Sequence, residues 1–373
     1  MKIVVASDSF KGTLTSREIA QMSKEILLRH IPDAEVFGVA IADGGEGTAD
    51  AFVSMGAELR KATVTGPLFK KINASYAMFG DTAIIEMAQA AGLPLVRNRK
   101  DPKITTTYGV GELILNALDS GCRRVILGLG GSATNDCGAG MAAALGIKFY
   151  DVSGQLFIPV GGTLSEIEHI DLASMDSRIP KTEFIAMCDV SNPLYGTKGA
   201  AYIFAPQKGA DEGTVKELDA GLKHVASLMK DFDIQSIPGS GAAGGMGAGC
   251  IWFLNAKLKS GIDTILDAVC FDDMLEGADF VITGEGRLDS QSFGCKVLSG
   301  IKRRADTCNV PIIVISGCIS DEENLSDGLA AVYTTSQELT DYDEIKAKAK
   351  DNYINTLVEL SEEIQKGKYK KSG

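Results

Sequence analysis

The chain predicts an α/β protein in which a parallel-sheet, Rossmann-like domain is formed by both chain ends and a second, mixed α/β domain is inserted in the middle. Three observations carry this. The first 55 residues alternate strand and helix patterns, the same rhythm returns beyond Phe280, and from about Glu58 the intervening stretch changes to short polar–apolar alternations.

Lys2 to Ala6 is an apolar run of strand length. It leads through Ser7-Asp8-Ser9-Phe10-Lys11-Gly12 into a helix announced by the capping box Thr15-Ser16-Arg17-Glu18, and Ile19, Met22, Ile26 and Leu27 share one face until Pro32 ends the pattern. Glu35 to Ile41 predicts the second strand and Ala49 to Met55 the next helix. Strand, helix, strand, helix implies parallel strands with right-handed crossovers. Ala62 to Val64, Ile72 to Phe79 and Asp81 to Ile85 alternate as antiparallel strands do. Gly109 to Leu118 reads as a helix, and Arg124 to Leu127 and Ile185 to Met187 read as strands. After the glycine-rich stretch 239–249 come the strands Phe280 to Thr283, Pro311 to Ser316 and Ala330 to Tyr333, then an amphipathic helix from Tyr342 to Gln365. The expected division is 1–62 with 272–373 as the Rossmann-like domain and 63–271 as the insertion.

Composition removes several function classes. A net charge of −12 and a pI near 4.9 argue against nucleic acid as a partner, because phosphate-backbone binding needs a basic surface. No apolar run reaches the roughly 18 residues of a membrane helix, and the N-terminus turns polar at Ser7 before a signal-peptide core develops, so a cytosolic protein is expected. The 8 cysteines form no CxxC pair, and the 3 histidines, His30, His169 and His224, have no partners at metal or triad spacing.

Chemistry is expected in the loops after parallel strands, where open α/β sheets bind ligands. Three such loops are acidic and glycine-rich. Asp8, Ser9 and Lys11 lie in the first, Asp43-Gly44-Gly45-Glu46-Gly47 in the second, and Gly284-Glu285-Gly286-Arg287-Leu288-Asp289 in the third. Carboxylates, cations and free backbone N–H groups are what a Mg²⁺-bound polyphosphate requires. Gly130-Gly131-Ser132-Ala133-Thr134-Asn135-Asp136 concentrates hydroxyl, amide and carboxylate groups after another strand. Asp189, in Cys188-Asp189-Val190-Ser191-Asn192-Pro193, stands where a carboxylate could take a proton from a substrate hydroxyl, or simply close a turn before Pro193.

A competing reading comes from Gly128-Leu129-Gly130-Gly131-Ser132-Ala133, which fits the dinucleotide fingerprint GxGxxA, with Asp151 ending the next strand 23 residues later. It would make the protein a nicotinamide-dependent dehydrogenase of a small hydroxy acid. Asp136 and further glycines separate this fingerprint from its helix, which weighs against it. No Walker A sequence, HRD or DFG triplet, or GxSxG elbow occurs.

Taken together, the blocks Ala6 to Gly12, Ile41 to Thr48, Glu86-Met87-Ala88, Thr106-Thr107-Tyr108-Gly109, Gly128 to Asp136, Cys188-Asp189 with Asn192-Pro193-Leu194, Pro206-Gln207-Lys208-Gly209-Ala210, Gly239 to Gly247 and Ile282 to Asp289 resemble the type I bacterial glycerate kinases, in order and over most of the chain. That resemblance implies ATP-dependent phosphorylation of D-glycerate to 2-phosphoglycerate, with Mg²⁺, in a cleft between two α/β domains. Under it, Lys11 and Arg287 neutralise the transferring phosphate, Asp189 is the base, and Asp43 or Glu285 organises the metal. Asp8, Ser9, Gly44, Gly45, Glu46, Gly47, Gly130, Gly131, Ser132, Thr134, Asn135, Asp136, Asn192 and Asp289 are the candidate substrate or nucleotide contacts. Which carboxylate takes which part stays open, as does assembly into a homo-oligomer. Cys137 and Cys295 stand where a small residue such as glycine is expected.

Overall fold

The computed structural model describes residues 1–10, 12–41, 47–229, 233–288, 296–319, 328–335 and 342–369. It divides into two compact units, Met1–Asp43 with Ile265–Gly373, and Gly44–Thr264.

The first unit carries a five-stranded parallel sheet, ordered Ala331–Thr334, Ile312–Ile319, Phe280–Leu288, Lys2–Ser7, Glu35–Ala40. Both chain ends therefore contribute to one sheet, as the sequence rhythm predicts. The capping box forms: Thr15 Oγ1 accepts from the Glu18 N–H at 3.2 Å while the Glu18 carboxylate accepts from the Thr15 N–H at 2.9 Å, which starts the helix Ser16–His30. Its apolar face, Ile19, Met22, Ile26 and Leu27, packs with Ile3 and Val5 of the first strand and with Tyr353, Leu357 and Leu360 of the helix Tyr342–Gln365. Burial of this continuous apolar stripe, rather than helix propensity, holds both helices to the sheet.

One element differs from expectation. The strand from Phe280 does not end at Thr283 but runs to Leu288, because its neighbour Ile312–Ile319 continues alongside and pairs up to Leu288 opposite Ile319. Gly284-Glu285-Gly286-Arg287 is thus strand and not loop. Glycine and charged residues have low strand propensity, but the ladder supplied by an adjacent strand overrides it. With a period of two, Thr283, Glu285 and Arg287 share one face.

The second unit has a six-stranded mixed sheet, ordered Lys257–Lys259, Glu183–Met187, Arg124–Gly128, Thr82–Glu86, Lys71–Phe79, Glu58–Thr65. The first four strands are parallel and the last two antiparallel. A separate three-stranded antiparallel sheet joins Leu156–Phe157, Lys148–Tyr150 and His169–Asp171. The main core lies where the helix Tyr108–Asp119 covers the sheet, with Val110, Leu113, Ile114 and Ala117 against Tyr76, Ile85, Val125 and Leu127.

Candidate active site

In the second unit, register aligns Glu86, Gly128, Met187 and Lys259 across four parallel strands, so the loops that follow them leave the sheet at one edge. This is the carboxyl edge, where ligand loops are expected. The loop after Gly128 is anchored on every side. Leu93 N–H donates to Gly131 O at 2.8 Å, Ala133 N–H to Ala91 O at 2.8 Å, Cys137 N–H to Gly244 O at 3.1 Å, and Thr105 Oγ1 to Ala133 O at 2.9 Å.

Asp136 organises this loop from inside. Its Oδ2 accepts from the Thr107 N–H at 2.7 Å, the Thr107 hydroxyl at 2.8 Å and the Gly140 N–H at 3.3 Å, and its Oδ1 from the Gly138 N–H at 3.2 Å. Burial pushes its carboxyl above the ordinary range and these four donors oppose that. The fit leaves no spare room: a Cβ at Gly140 would stand 2.2 Å from Thr106 Oγ1 and 2.9 Å from Asp136 Oδ2. Cys137, at φ +55°, adopts the left-handed conformation that explains why glycine is the expected residue there.

Lys208, from the turn Pro206–Lys208, is buried beneath the loop, and its Nζ donates to Ser132 Oγ at 2.8 Å and Thr134 O at 2.7 Å. Desolvation lowers this amine to about 7, with Asp136 acting in the opposite direction. Beside it, Thr134 Oγ1, both amide atoms of Asn135 and Ser240 Oγ are buried without a hydrogen-bond partner among the described residues. Buried polar groups are rarely left so, and a run of them marks a place for water or a ligand. Gly130 and Gly131 are exposed at the loop's tip. Asp189 follows the neighbouring strand, half-buried, with Oδ1 accepting from the Gly261 N–H at 3.0 Å. Asn192 donates from Nδ2 to Lys198 O at 2.9 Å, and its backbone carbonyl accepts from the Gly241 N–H at 3.0 Å.

In the first unit, Asp8 follows the strand Lys2–Ser7 and lies beside the middle of the strand Phe280–Leu288, which carries Glu285: the Asp8 N–H donates to Gly284 O at 3.0 Å, and Ser7 Oγ donates to the same carbonyl at 2.9 Å. The Ser9 N–H caps Asp8 Oδ1 at 2.7 Å. Arg287 is exposed on the face that carries Glu285, and Thr283 Oγ1 is buried without a hydrogen-bond partner among the described residues. In the second unit, Gly47 immediately precedes the helix Thr48–Ser54, whose Ala49 N–H donates to Glu86 Oε1 at 2.8 Å. Lys11, Asp43, Gly44, Gly45, Glu46 and Asp289 lie outside the described residues, as does Cys295.

Comparison with known proteins decides the class. The Glycerate kinase family model matches residues 3–365. The chain belongs to the glycerate kinase family. It is 45% identical to a Bacillus cereus glycerate kinase over 97% of each chain, and 45% identical to the Escherichia coli glycerate 2-kinase over 94% of this chain and 95% of that one. A candidate glycerate kinase 2 from Salmonella typhimurium LT2, solved as a crystal structure, superposes with a TM-score of 0.90 at 39% identity, covering 98% of this chain and 99% of that one.

Within a glycerate kinase the dinucleotide fingerprint is a coincidence of composition, and the geometry says why. The segment after Gly128 does not open onto a helix; Ser132 forms a bridge with Gly92, and the next helix begins at Ala139. Asp151 follows the strand Lys148–Tyr150 of the small separate sheet and accepts from Ser153 N–H at 2.8 Å and Gln155 N–H at 2.9 Å in its own turn. The dehydrogenase reading is therefore withdrawn. Sequence reasoning missed Lys208, Thr107 and Ser240 as contributors to the site. All three lie in blocks that carry the family resemblance, but a lysine in a Pro-Gln-Lys-Gly turn reads as a surface cation, and only tertiary packing buries it.

Proposed function

We propose that this protein transfers the γ-phosphoryl group of ATP to the 2-hydroxyl of D-glycerate. One observation supports the reading above the others: the donor-rich Ser132–Asn135 segment and the Asp189 carboxylate follow neighbouring parallel strands, with Met187 opposite Gly128. A small hydroxy acid needs an anion holder and, within reach of it, a base for its hydroxyl. Ser132, Thr134, Asn135 and the exposed Gly130 and Gly131 backbone take the carboxylate; Asp189 accepts the hydroxyl proton. Asp136, its oxygens taken by Thr107, Gly138 and Gly140, shapes the loop instead of touching substrate.

Phosphoryl transfer asks a protein chiefly for positioning and charge neutralisation. Lys11 and Arg287 are assigned to the phosphoryl charge, and Asp8, Ser9, Gly44 to Gly47, Asn192 and Asp289 to substrate or nucleotide contacts. Glu285 and Asp43 would hold Mg²⁺. The donor set fits a hard cation: Asp8, just past the end of one strand, and Glu285, on the adjoining strand, both offer carboxylate oxygen. Mg²⁺ takes one or two protein carboxylates and completes its shell with phosphate and water. When bound, Mg²⁺ neutralises charge on the β- and γ-phosphates. We take the two units as the protein's domains.

The reading is tested by following ADP release with ATP, Mg²⁺ and D-glycerate, L-glycerate or a panel of short hydroxy acids. Release that depends on D-glycerate and on the divalent ion is expected. Release with none of the acids, or with all equally, overturns it.

A further inference from the structure

We infer that Lys208 is a positioning residue for the anionic end of the substrate: held beneath the loop, it fixes Ser132 so that the hydroxyl of that residue presents its proton, beside Thr134 and Asn135, to a carboxylate. This rests on the reading above of that loop as the carboxylate holder. A charged lysine only donates, so Ser132 Oγ at 2.8 Å must accept, and its own O–H is left to donate elsewhere. Among the described residues no acceptor for it is present. The second Lys208 bond, to Thr134 O at 2.7 Å, fixes the backbone two residues on, where Thr134 Oγ1 and Asn135 Nδ2 are two more buried donors without a partner among the described residues. Three donors thus stand within four consecutive residues, on a strand-end loop, backed by a cation.

The cation itself is short of an anion. Lys208 is 1% exposed, both of its hydrogen-bond partners are neutral, and no described carboxylate forms an ion pair with it. The charged groups on the elements around it are Asp136 on the loop, Lys100, whose backbone packs on Gly209, and Asp211, which caps the following helix; of these Asp136 is the one whose field acts on it. A fully desolvated ammonium with neutral partners is costly, and an arriving carboxylate relieves that cost. Burial that lowers the amine to about 7 adds a consequence. Above that pH the free enzyme holds the amine neutral, able to accept from Ser132 and turn its O–H inward; binding the anion then requires a proton to be taken up, and the apparent affinity for D-glycerate falls with rising pH.

The experiment compares the full-length protein with Lys208→Met and, in case the buried change impairs folding, Ser132→Ala. KM for D-glycerate, KM for ATP and kcat are measured from pH 6 to 9, and D-glycerate binding is measured calorimetrically in two buffers of different ionisation enthalpy to count protons. At pH 7, Lys208→Met is expected to raise KM for D-glycerate at least tenfold, with KM for ATP and kcat within threefold. It should also abolish both the rise in KM above pH 7 and the proton uptake. Ser132→Ala should raise the same KM while keeping the proton uptake. Normal turnover by the native protein, with KM for D-glycerate unmoved in both folded variants or with kcat alone reduced, overturns the part given to Lys208 and leaves the function standing. Binding of D-glycerate with Lys208-dependent proton uptake but no phosphorylation does the reverse. No binding and no turnover by the native protein overturns both.

Discussion

Thr107 donates twice to a single oxygen of Asp136, through its backbone N–H at 2.7 Å and its hydroxyl at 2.8 Å, while its hydroxyl oxygen accepts from the Met141 N–H at 2.9 Å. One residue thereby ties the start of the helix Tyr108–Asp119 to the loop after Gly128 and to the helix Ala139–Ala144. The candidate anion site of this glycerate kinase is built on that junction.

Removing the charge at the junction should loosen the fold before it touches chemistry. Asp136→Asn replaces an acceptor facing four donors with a group that must turn its own N–H₂ toward some of them. A loss of about 2–3 kcal/mol in unfolding free energy is expected, by analogy with buried hydrogen bonds to charged groups, and urea denaturation measures it.

Two glycines make an internally controlled pair. Gly140→Ala drives a Cβ to within 2.2 Å of Thr106 Oγ1 and is expected to cost more than about 2 kcal/mol. Gly213→Ala, exposed in the helix Glu212–Leu228 with nothing nearer than Asp211 Oδ1 at 3.6 Å, is expected to stabilise by about 0.5–1 kcal/mol. Thermal melts of both settle the contrast; equal effects would contradict it.

Cys137 carries a backbone cost that a branched side chain would increase. At φ +55°, Cys137→Val should destabilise by more than about 2 kcal/mol. Cys137→Gly should stay within about 1 kcal/mol, since relief of the left-handed backbone offsets the entropy that glycine adds to the unfolded chain. Chemical denaturation of the two variants reads the difference.

Lys208 also shapes the stability–pH curve. Its amine is lowered from 10.5 to about 7 in the folded protein, so between these values the unfolded chain binds more protons and stability rises with pH. The native protein should therefore gain roughly 2–3 kcal/mol relative to Lys208→Met between pH 7 and 9. Denaturation midpoints across that range, taken as the difference between the two proteins, isolate this group from the cysteines and tyrosines.

Most of the fold is readable from the sequence because its signals are local. The Thr15–Glu18 box, the face of Ile19, Met22, Ile26 and Leu27, and the return of strand patterns at the C-terminal end describe elements whose own residues determine them. The misreadings are tertiary. Gly284 to Leu288 is strand because Ile312–Ile319 runs beside it, and the need for glycine at Gly244 comes from the approach of another loop, since a Cβ there would meet Thr134 O at 2.1 Å. In the candidate site, Ser132, Thr134 and Asn135 are legible as polar residues after a strand. The burial of Lys208 beneath them is not, since nothing in its turn distinguishes it from a solvated lysine.

Asp189→Asn tests the assigned base without disturbing the turn, because the amide oxygen can keep the Gly261 bond. A fall in kcat/KM of well over tenfold with an unchanged melting temperature is expected; less than tenfold, about 1.4 kcal/mol in transition-state stabilisation, would remove Asp189 from the mechanism.

The most direct test of the central claim is ³¹P NMR of the product formed from ATP, Mg²⁺ and D-glycerate by the native protein. A single new resonance from a phosphate on the 2-hydroxyl, absent with L-glycerate, is the expected result. A 3-phosphate would contradict the regiochemistry, and no phosphorylated acid at all would contradict the function.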